Sequence, residues 1–208
     1  MKDRRILGTR VSVNPELAAD CALSAGPVRA SALAATPEEV GRLYDEHFDF
    51  VWRTLGRLGV EPGQREDAVH DVFLVVHRRL ASYEGRSSLK TWLFGIAQRV
   101  AKVHRRLGAR RRLDVPEDDE TLASPGSDPQ EQAAEVEAAG LVERLLEKLS
   151  EERRVVLILA DLEEVPAPDI AQALEIPLNT VYSRLRLARR DFETCVKRAQ
   201  ARDQWRQR

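Results

Sequence analysis

The chain has 208 residues, of which 43% are hydrophobic, 32% are charged and 5% are aromatic, and its formal net charge is −1. This length allows one large domain or two small ones, and the hydrophobic content excludes a chain that is disordered throughout. No run of about 20 apolar residues is present, so the sequence predicts no membrane-spanning helix. The two cysteines, Cys21 and Cys195, are too few for a disulfide framework, which indicates a reducing, cytoplasmic location.

The N-terminal residues 1–36 are rich in alanine and small polar residues and show no periodicity, which predicts a flexible extension. Ordered structure is expected to begin at Thr36, because this residue can cap a helix with Pro37 at its first position and Glu39 closing a capping box. Apolar residues at three-and-four spacing continue from there and predict a first helix that ends at Gly59.

Two further helices are predicted in the first half of the chain. The same periodicity indicates a second helix from about Gln64 to Leu80. A loop then leads to Ser87 or Ser88, either of which can cap a third helix beginning at Leu89. Basic residues occupy the polar face of this third helix and continue past its end.

Charges are segregated around the end of the third helix. Residues 86–112 contain nine Arg or Lys and no Asp or Glu, whereas residues 114–137 contain nine Asp or Glu and no Arg or Lys. A basic block that continues an amphipathic helix favours a surface that binds a polyanion, and DNA is the polyanion that this pattern indicates. The acidic block lies in a segment with several prolines and serines, residues 113–137, which predicts a flexible, solvated linker.

Helical periodicity returns after the linker. Ser150 is expected to cap a helix whose buried stripe continues to Leu162. Two shorter helices are predicted next, from Asp169 to Leu174 and from Asn179 to about Arg198. No segment alternates with period two, so the predicted fold class is all-α, with two small helical domains joined by the flexible acidic linker. The predicted divisions are an extension at 1–36, a first domain at 37–112, the linker at 113–137, a second domain at 138–198 and a basic tail at 199–208.

The last two predicted helices have the pattern of a helix-turn-helix, whose second helix enters the major groove of DNA with its first residues against the base edges. Arginine can bond guanine and asparagine can bond adenine, so the polar residues at the start of this helix are candidates for base contacts. These candidates are Asn179, Thr180, Tyr182, Ser183, Arg184 and Arg186. Arg189 and Arg190 lie further along the helix and are expected to contact phosphates.

Three segments of the chain resemble bacterial sigma factors. The stretch from Asp169-Ile170-Ala171 to Asn179-Thr180-Val181-Tyr182-Ser183-Arg184-Leu185 is similar to the fourth region of that family. Residues 66–74 and 91–97 are similar to its second region, in the right order and with the right gap. The extensive third region of larger sigma factors is absent, as in the extracytoplasmic-function group. The resemblance to this group implies a transcription-initiation factor that catalyses nothing itself.

The resemblance assigns a role to each predicted surface. The helix-turn-helix would read the −35 promoter element, while the third helix and the loop before it would open and hold the −10 element. The −10 candidates are Tyr83, Arg86, Ser88, Lys90, Arg99, Lys102, Arg105 and Arg106. The second helix would dock on the clamp helices of the largest subunit of core RNA polymerase. The residues implied there are Asp67, His70, Asp71 and Leu74. The resemblance also implies control by an anti-sigma protein.

Other interpretations of these residues are open. Asp67, His70, Asp71 and His77 share one helical face and could in principle ligate a metal, but no second helix offers matching ligands. The sequence therefore predicts no metal, no cofactor and no small-molecule substrate. A helix-turn-helix regulator that acts without polymerase is the closer alternative. A pure interaction protein, whose basic face holds an acidic partner, is a further one.

Overall fold

The computed structural model describes residues 36–85, 87–111 and 129–206, and the regular secondary structure within these ranges is helical throughout. The first module, residues 36–111, contains α1 (Pro37–Arg57), α2 (Pro62–Arg79), a 3-10 turn (Leu80–Ser82) and α3 (Leu89–Arg111). The second module, residues 129–206, contains α4 (Pro129–Leu146), α5 (Glu151–Leu157), a π turn (Ile158–Leu162), α6 (Ala167–Ala173) and α7 (Leu178–Arg206). The predicted extension before Thr36 lies outside the described residues. None of the described helices has the length and apolar character that crossing a bilayer requires.

Side-chain caps fix where the helices of the first module begin. The Thr36 hydroxyl accepts a hydrogen bond from the Glu39 amide at 3.3 Å, and the Glu39 carboxylate accepts one from the Thr36 amide at 2.9 Å. This reciprocal pair is the predicted capping box, which satisfies amide groups that the first helical turn leaves without partners. At the start of α3, Ser88 accepts from the Thr91 amide at 3.1 Å, so Ser88 rather than Ser87 is the cap.

The first module is a bundle of three helices that bury their apolar stripes against one another. Val51 and Leu55 of α1, Val72 of α2 and Phe94 of α3 are at most 1% exposed. Removing side chains of this size from water contributes about 1.5–3 kcal/mol each, so these stripes account for much of the module's stability. The bundle holds the polar face of α2 and the basic face of α3 in fixed positions.

The second module differs from an unbroken α-helical pattern between α5 and α6. The Glu163 amide bonds the Ile158 carbonyl at 3.0 Å, which is the i→i+5 bond of a π turn. Leu162 was predicted to continue the buried stripe, but it is 38% exposed. That prediction is wrong because a wider turn rotates the side chains that follow it away from the α-helical stripe.

Two helices of the second module are longer than the sequence periodicity indicated. The α4 helix begins at Pro129, within the predicted linker, and α7 continues to Arg206, within the predicted basic tail. Proline suits the first position of a helix, which favours a start at Pro129. No glycine or proline follows Arg198, so nothing in the sequence ends α7 there. Both ends of α6 and the start of α7, which form the helix-turn-helix itself, lie within two residues of the predicted positions.

The two modules touch each other. The α1 helix packs against α4, and α3 packs against α6. The buried apolar side chains of both modules form one continuous cluster, from Phe50 in α1 to Ala188 in α7. The predicted linker comprises residues 113–137, and its residues up to 128 lie outside the described ranges. The modules on either side of this linker are in direct contact.

Glu175, in the turn of the helix-turn-helix, has a φ of 54°, in the left-handed region where only glycine is unstrained. We expect Glu175→Gly to raise the free energy of unfolding by about 0.5–1 kcal/mol, because the strain removed exceeds the entropy that glycine adds to the unfolded chain. Urea denaturation measures this change. The matched control is Glu66→Gly, at an exposed helical position of α2, which should cost about 1 kcal/mol. A loss of stability in Glu175→Gly would contradict the prediction.

Candidate nucleic-acid and polymerase interfaces

One face of α7 is polar and open to solvent. Asn179, Tyr182, Ser183, Arg186 and Arg190 are exposed, and their three-and-four spacing puts them on one side of the helix. The opposite side is buried against α5 and α6. Tyr182 is 54% exposed, the largest value among the exposed large apolar side chains of the described residues. The face therefore combines amide, hydroxyl, aromatic and guanidinium groups, which can read the edges of bases in a major groove.

Two other candidate arginines of α7 are held by carboxylates of their own module. Arg184 is half-buried and lies 2.9 Å from Glu152, beside rather than on the exposed face. Arg189 forms a bidentate ion pair with Asp161: its Nε donates to Oδ2 at 3.0 Å and its Nη2 to Oδ1 at 2.6 Å. This hydrogen bond raises the pKa of Arg189 above its ordinary value. Both cations are thus partly neutralised within the protein, whereas Arg186 has no ion pair with the part of the chain that the structure describes.

Thr180 and Ser183 are linked at the start of α7. Thr180 is half-buried, and its carbonyl accepts a hydrogen bond from the Ser183 hydroxyl at 3.0 Å.

The Arg190 guanidinium lies 3.3 Å from Asp191, but its side chain is 69% exposed. Arg190 therefore remains accessible further along the helix, where the sequence predicted a phosphate contact.

The basic face of α3 combines an accessible row with a restrained neighbour. Arg99, Lys102 and Arg106 follow one another at spacings of three and four, so they share one side of the helix; Lys102 and Arg106 are exposed and Arg99 is half-buried. Arg105 lies next to this row, and its guanidinium is 2.8 Å from the carboxylate of Glu151 in the second module. The spacing of the row fits a phosphate backbone, and Arg105 is held beside it by its ion pair with Glu151.

The loop before α3 is ordered around an aromatic pair. The Tyr83 ring packs against Trp92 with centroids 5.2 Å apart, and its hydroxyl donates to the Ser87 carbonyl at 2.5 Å. Both rings are half-buried. Ser88 and Lys90 are exposed at the start of α3, and the candidate Arg86 lies outside the described residues. The loop thus offers part of an aromatic surface beside exposed polar groups.

The polymerase candidates share one face of α2, at positions three or four apart. Asp67 is exposed, while His70 and Leu74 are half-buried. Asp71 instead accepts a hydrogen bond from Nε2 of His104 in α3, at 2.9 Å, and its side chain is only 15% exposed. Asp71 therefore ties α2 to α3. Among the described residues, no group of three or more His, Cys, Asp or Glu side chains could hold a metal ion.

Sequence reasoning missed Arg154, a buried cation where the two modules meet. Its side chain is 6% exposed and donates to the carbonyls of Leu58, Glu147 and Leu149 at 3.1, 3.1 and 3.3 Å. Burial lowers the pKa of Arg154 from its ordinary value, and the positive charge of Arg105 lowers it further. The available signal was its position directly before the buried run that starts at Val155.

Comparison with known families accounts for both modules. Sigma-70 region 2 matches residues 43–111, and Sigma-70, region 4 matches residues 139–192. The ECF RNA polymerase sigma-E factor of Escherichia coli K12 is 30% identical over 145 residues, which cover 66% of this chain and 76% of the relative. The chain belongs to the extracytoplasmic-function sigma factor family. The RNA polymerase sigma-H factor of Pseudomonas aeruginosa PAO1 is 28% identical over 142 residues, covering 64% of this chain and 73% of that protein.

Two solved structures are similar to this sigma factor in fold. CnrH in complex with the cytosolic domain of CnrY has a TM-score of 0.58 at 19% identity, covering 89% of this chain and 98% of CnrH. The sigma factor RpoE in complex with the anti-sigma factor NepR, from Bartonella quintana, has a TM-score of 0.57 at 20% identity, covering 77% and 98%. At these identities the likeness concerns the fold alone, and it confirms the predicted all-α class.

Proposed function

We propose that this sigma factor binds core RNA polymerase, directs it to promoters and helps to open the DNA at transcription initiation. The main support for this function is that the two modules match regions 2 and 4 of one family. They also present polar or cationic faces on α2, α3 and α7. A helix-turn-helix regulator that acts without polymerase is less well supported, because such a protein has no need of a region 2 module.

In this proposal the second module reads the −35 element. The exposed face of α7 lies in the major groove, where Asn179, Ser183 and Arg186 bond base edges and Tyr182 contacts the apolar surface of a base. Arg190 contacts a phosphate at the end of this face. Arg184 and Arg189 support this face, because acidic neighbours hold them, and Thr180 supports it through the bond between its carbonyl and Ser183.

The first module holds the −10 element. The row formed by Arg99, Lys102 and Arg106 follows the phosphates of the separated strand, and Ser88 and Lys90 extend this surface at the start of α3. Tyr83 offers the accessible part of its ring to an unstacked base. Arg86 and Arg105, which the sequence also predicted, complete the proposed set. Arg105 can contact DNA only after its ion pair with Glu151 is broken.

The polar face of α2 binds the clamp helices of the largest polymerase subunit. Asp67, His70 and Leu74 make the contact, and Asp71 positions this face through its bond to His104. The factor itself catalyses no reaction and acts in the cytoplasm, where its polymerase partner is found. An anti-sigma protein controls it, a proposal supported by the similar structure of the sigma factor RpoE in complex with the anti-sigma factor NepR.

Run-off transcription with core polymerase on a library of promoter fragments tests this function. We expect specific transcripts only when the chain is added, and a chain that binds promoters tightly but yields none would favour the polymerase-independent regulator. Asp67→Ala should weaken binding to core polymerase about fivefold to tenfold, since it removes the most exposed charged contact of the docking face. The matched control is Glu66→Ala, which removes a neighbouring exposed carboxylate outside that face and should leave the affinity unchanged.

A further inference from the structure

Among the residues that the structure describes, three ion pairs join the modules, and all have the same polarity. In each pair the arginine belongs to the first module and the glutamate to the second. The pairs are Arg57–Glu163 at 2.5 Å, Arg65–Glu143 at 2.5 Å and Arg105–Glu151 at 2.8 Å. They arise from α1, α2 and α3 on one side and from α4, α5 and the end of the π turn on the other. Charge complementarity thus occurs at three separate places along the contact between the modules.

A fourth contact crosses in the opposite direction. Arg154 of α5 inserts its guanidinium at the end of α1 and donates to the Leu58 carbonyl at 3.1 Å. Gly59 leaves room for it, since a Cβ atom there would lie 2.9 Å from Nη1 of Arg154. Gly59 also has a φ of 85°, which other residues rarely adopt. The end of α1 is thus shaped to receive a cation from the second module.

The contact between the modules combines apolar packing with polar contacts, and it is the polar part that can be exchanged. The Nε atoms of Arg105 and Arg154 are buried without a hydrogen-bond partner, which makes the closed state costly. The side chains of the three ion pairs are 12–40% exposed, so salt screens them. These polar contacts are therefore the part of the interface that salt or a competing charged group can weaken.

The closed arrangement conflicts with the proposed promoter contacts. Arg105 belongs to the proposed −10 surface, but its guanidinium is paired with the carboxylate of Glu151. The α3 helix also packs against α6 of the helix-turn-helix. Promoter elements about 25 base pairs apart are separated by about 85 Å along B-DNA, at about 3.4 Å per base pair. Two modules in contact cannot reach both elements.

We propose that Glu143, Glu151 and Glu163 form an acidic latch, which holds the second module against the first, and that Glu151 of this latch competes with DNA phosphate for Arg105. Opening then depends on ionic strength and on any polyanion that displaces the glutamates. The consequence for promoter binding rests on the proposed function, whereas closure is a property of the chain alone and is measured without polymerase.

The test compares the compactness of two double variants of the full chain. Glu143→Gln with Glu163→Gln removes two latch carboxylates and touches no proposed DNA or polymerase residue. Glu66→Gln with Glu193→Gln is the matched control, since it removes the same charge from exposed positions outside the interface. Small-angle scattering gives the radius of gyration, and circular dichroism verifies that the helices are intact. We expect the wild type and the control to be compact at low salt and to expand near 1 M salt, where the screening length is about 3 Å. The latch variant should be expanded at low salt already.

Rescue and promoter binding complete the test. Exchanging one pair, Arg57→Glu with Glu163→Arg, should keep the low-salt radius of the wild type, whereas Glu163→Arg alone should expand the chain. With core polymerase, the latch variant should bind promoter DNA about twofold to fivefold more tightly at low salt for each pair removed, and equally at high salt.

Equal radii for the latch variant and the wild type at low salt would overturn the latch, as would equal expansion of the control. If the latch variant opens but no chain supports transcription, the latch stands and the proposed function fails. If transcription is specific but compactness never changes, the function stands and the latch fails.

Discussion

Arg186→Ala should cost about 1–3 kcal/mol of discrimination between a correct and an altered −35 element, the largest loss expected from a substitution on α7. Arg186 lies on the exposed face and forms no ion pair with the described residues. Its guanidinium is therefore available to bond two acceptors of one guanine. Competition binding of the polymerase complex to duplexes altered one base pair at a time, at constant salt, measures the effect.

Arg184→Ala is the matched control for this prediction. Arg184 is two residues away on the same helix and carries the same charge, but it lies beside the exposed face and is paired with Glu152. We expect a smaller loss that is similar for all sequences, because the substitution removes positive charge without removing a base contact. Equal, base-specific losses in both variants would show that Arg184 rotates away from Glu152 to read DNA. No loss in Arg186→Ala would refute the assignment.

Ile170→Ala should lower the free energy of unfolding of the second module by about 2–5 kcal/mol. Ile170 of α6 is fully buried, so truncation leaves a cavity where the two helices of the helix-turn-helix meet. Chemical denaturation followed by circular dichroism measures the change.

Leu178→Ala serves as the comparison for this substitution, because Leu178 begins α7 at 38% exposure and should lose less than about 1 kcal/mol. The stability loss should also weaken −35 binding without altering base preference, which separates it from the Arg186 effect. A loss below about 1 kcal/mol in Ile170→Ala would contradict the assigned core position.

Local patterns explain why much of the fold could be predicted. The capping box at Thr36 and the cap at Ser88 depend on residues three positions apart, and helical stripes depend on residues three or four apart. Such signals are complete within a short segment, so α1, α2 and the helix-turn-helix follow from the sequence. The polar face of α2 and the basic row of α3 follow from the same spacing.

Contacts between distant segments could not be predicted in this way. Arg105 and Glu151 are far apart in sequence, and nothing near either residue indicates its partner. The bond between Asp71 and His104 is of the same kind, and it changes a polymerase candidate into a residue that joins two helices. The π turn was not predicted, because it interrupts the spacing of three and four residues from which buried helical faces are predicted.

The length of α7 has a mechanical consequence. Its 29 residues, at a rise of about 1.5 Å each, form a rod about 43 Å long whose first turns carry the groove-facing side chains. The rod continues beyond residue 192, where the match to region 4 ends. Because the helix is continuous, a contact near Arg202 that tilts it also changes the orientation of Asn179. The angle between α7 and the groove can therefore be changed from a point remote from the DNA.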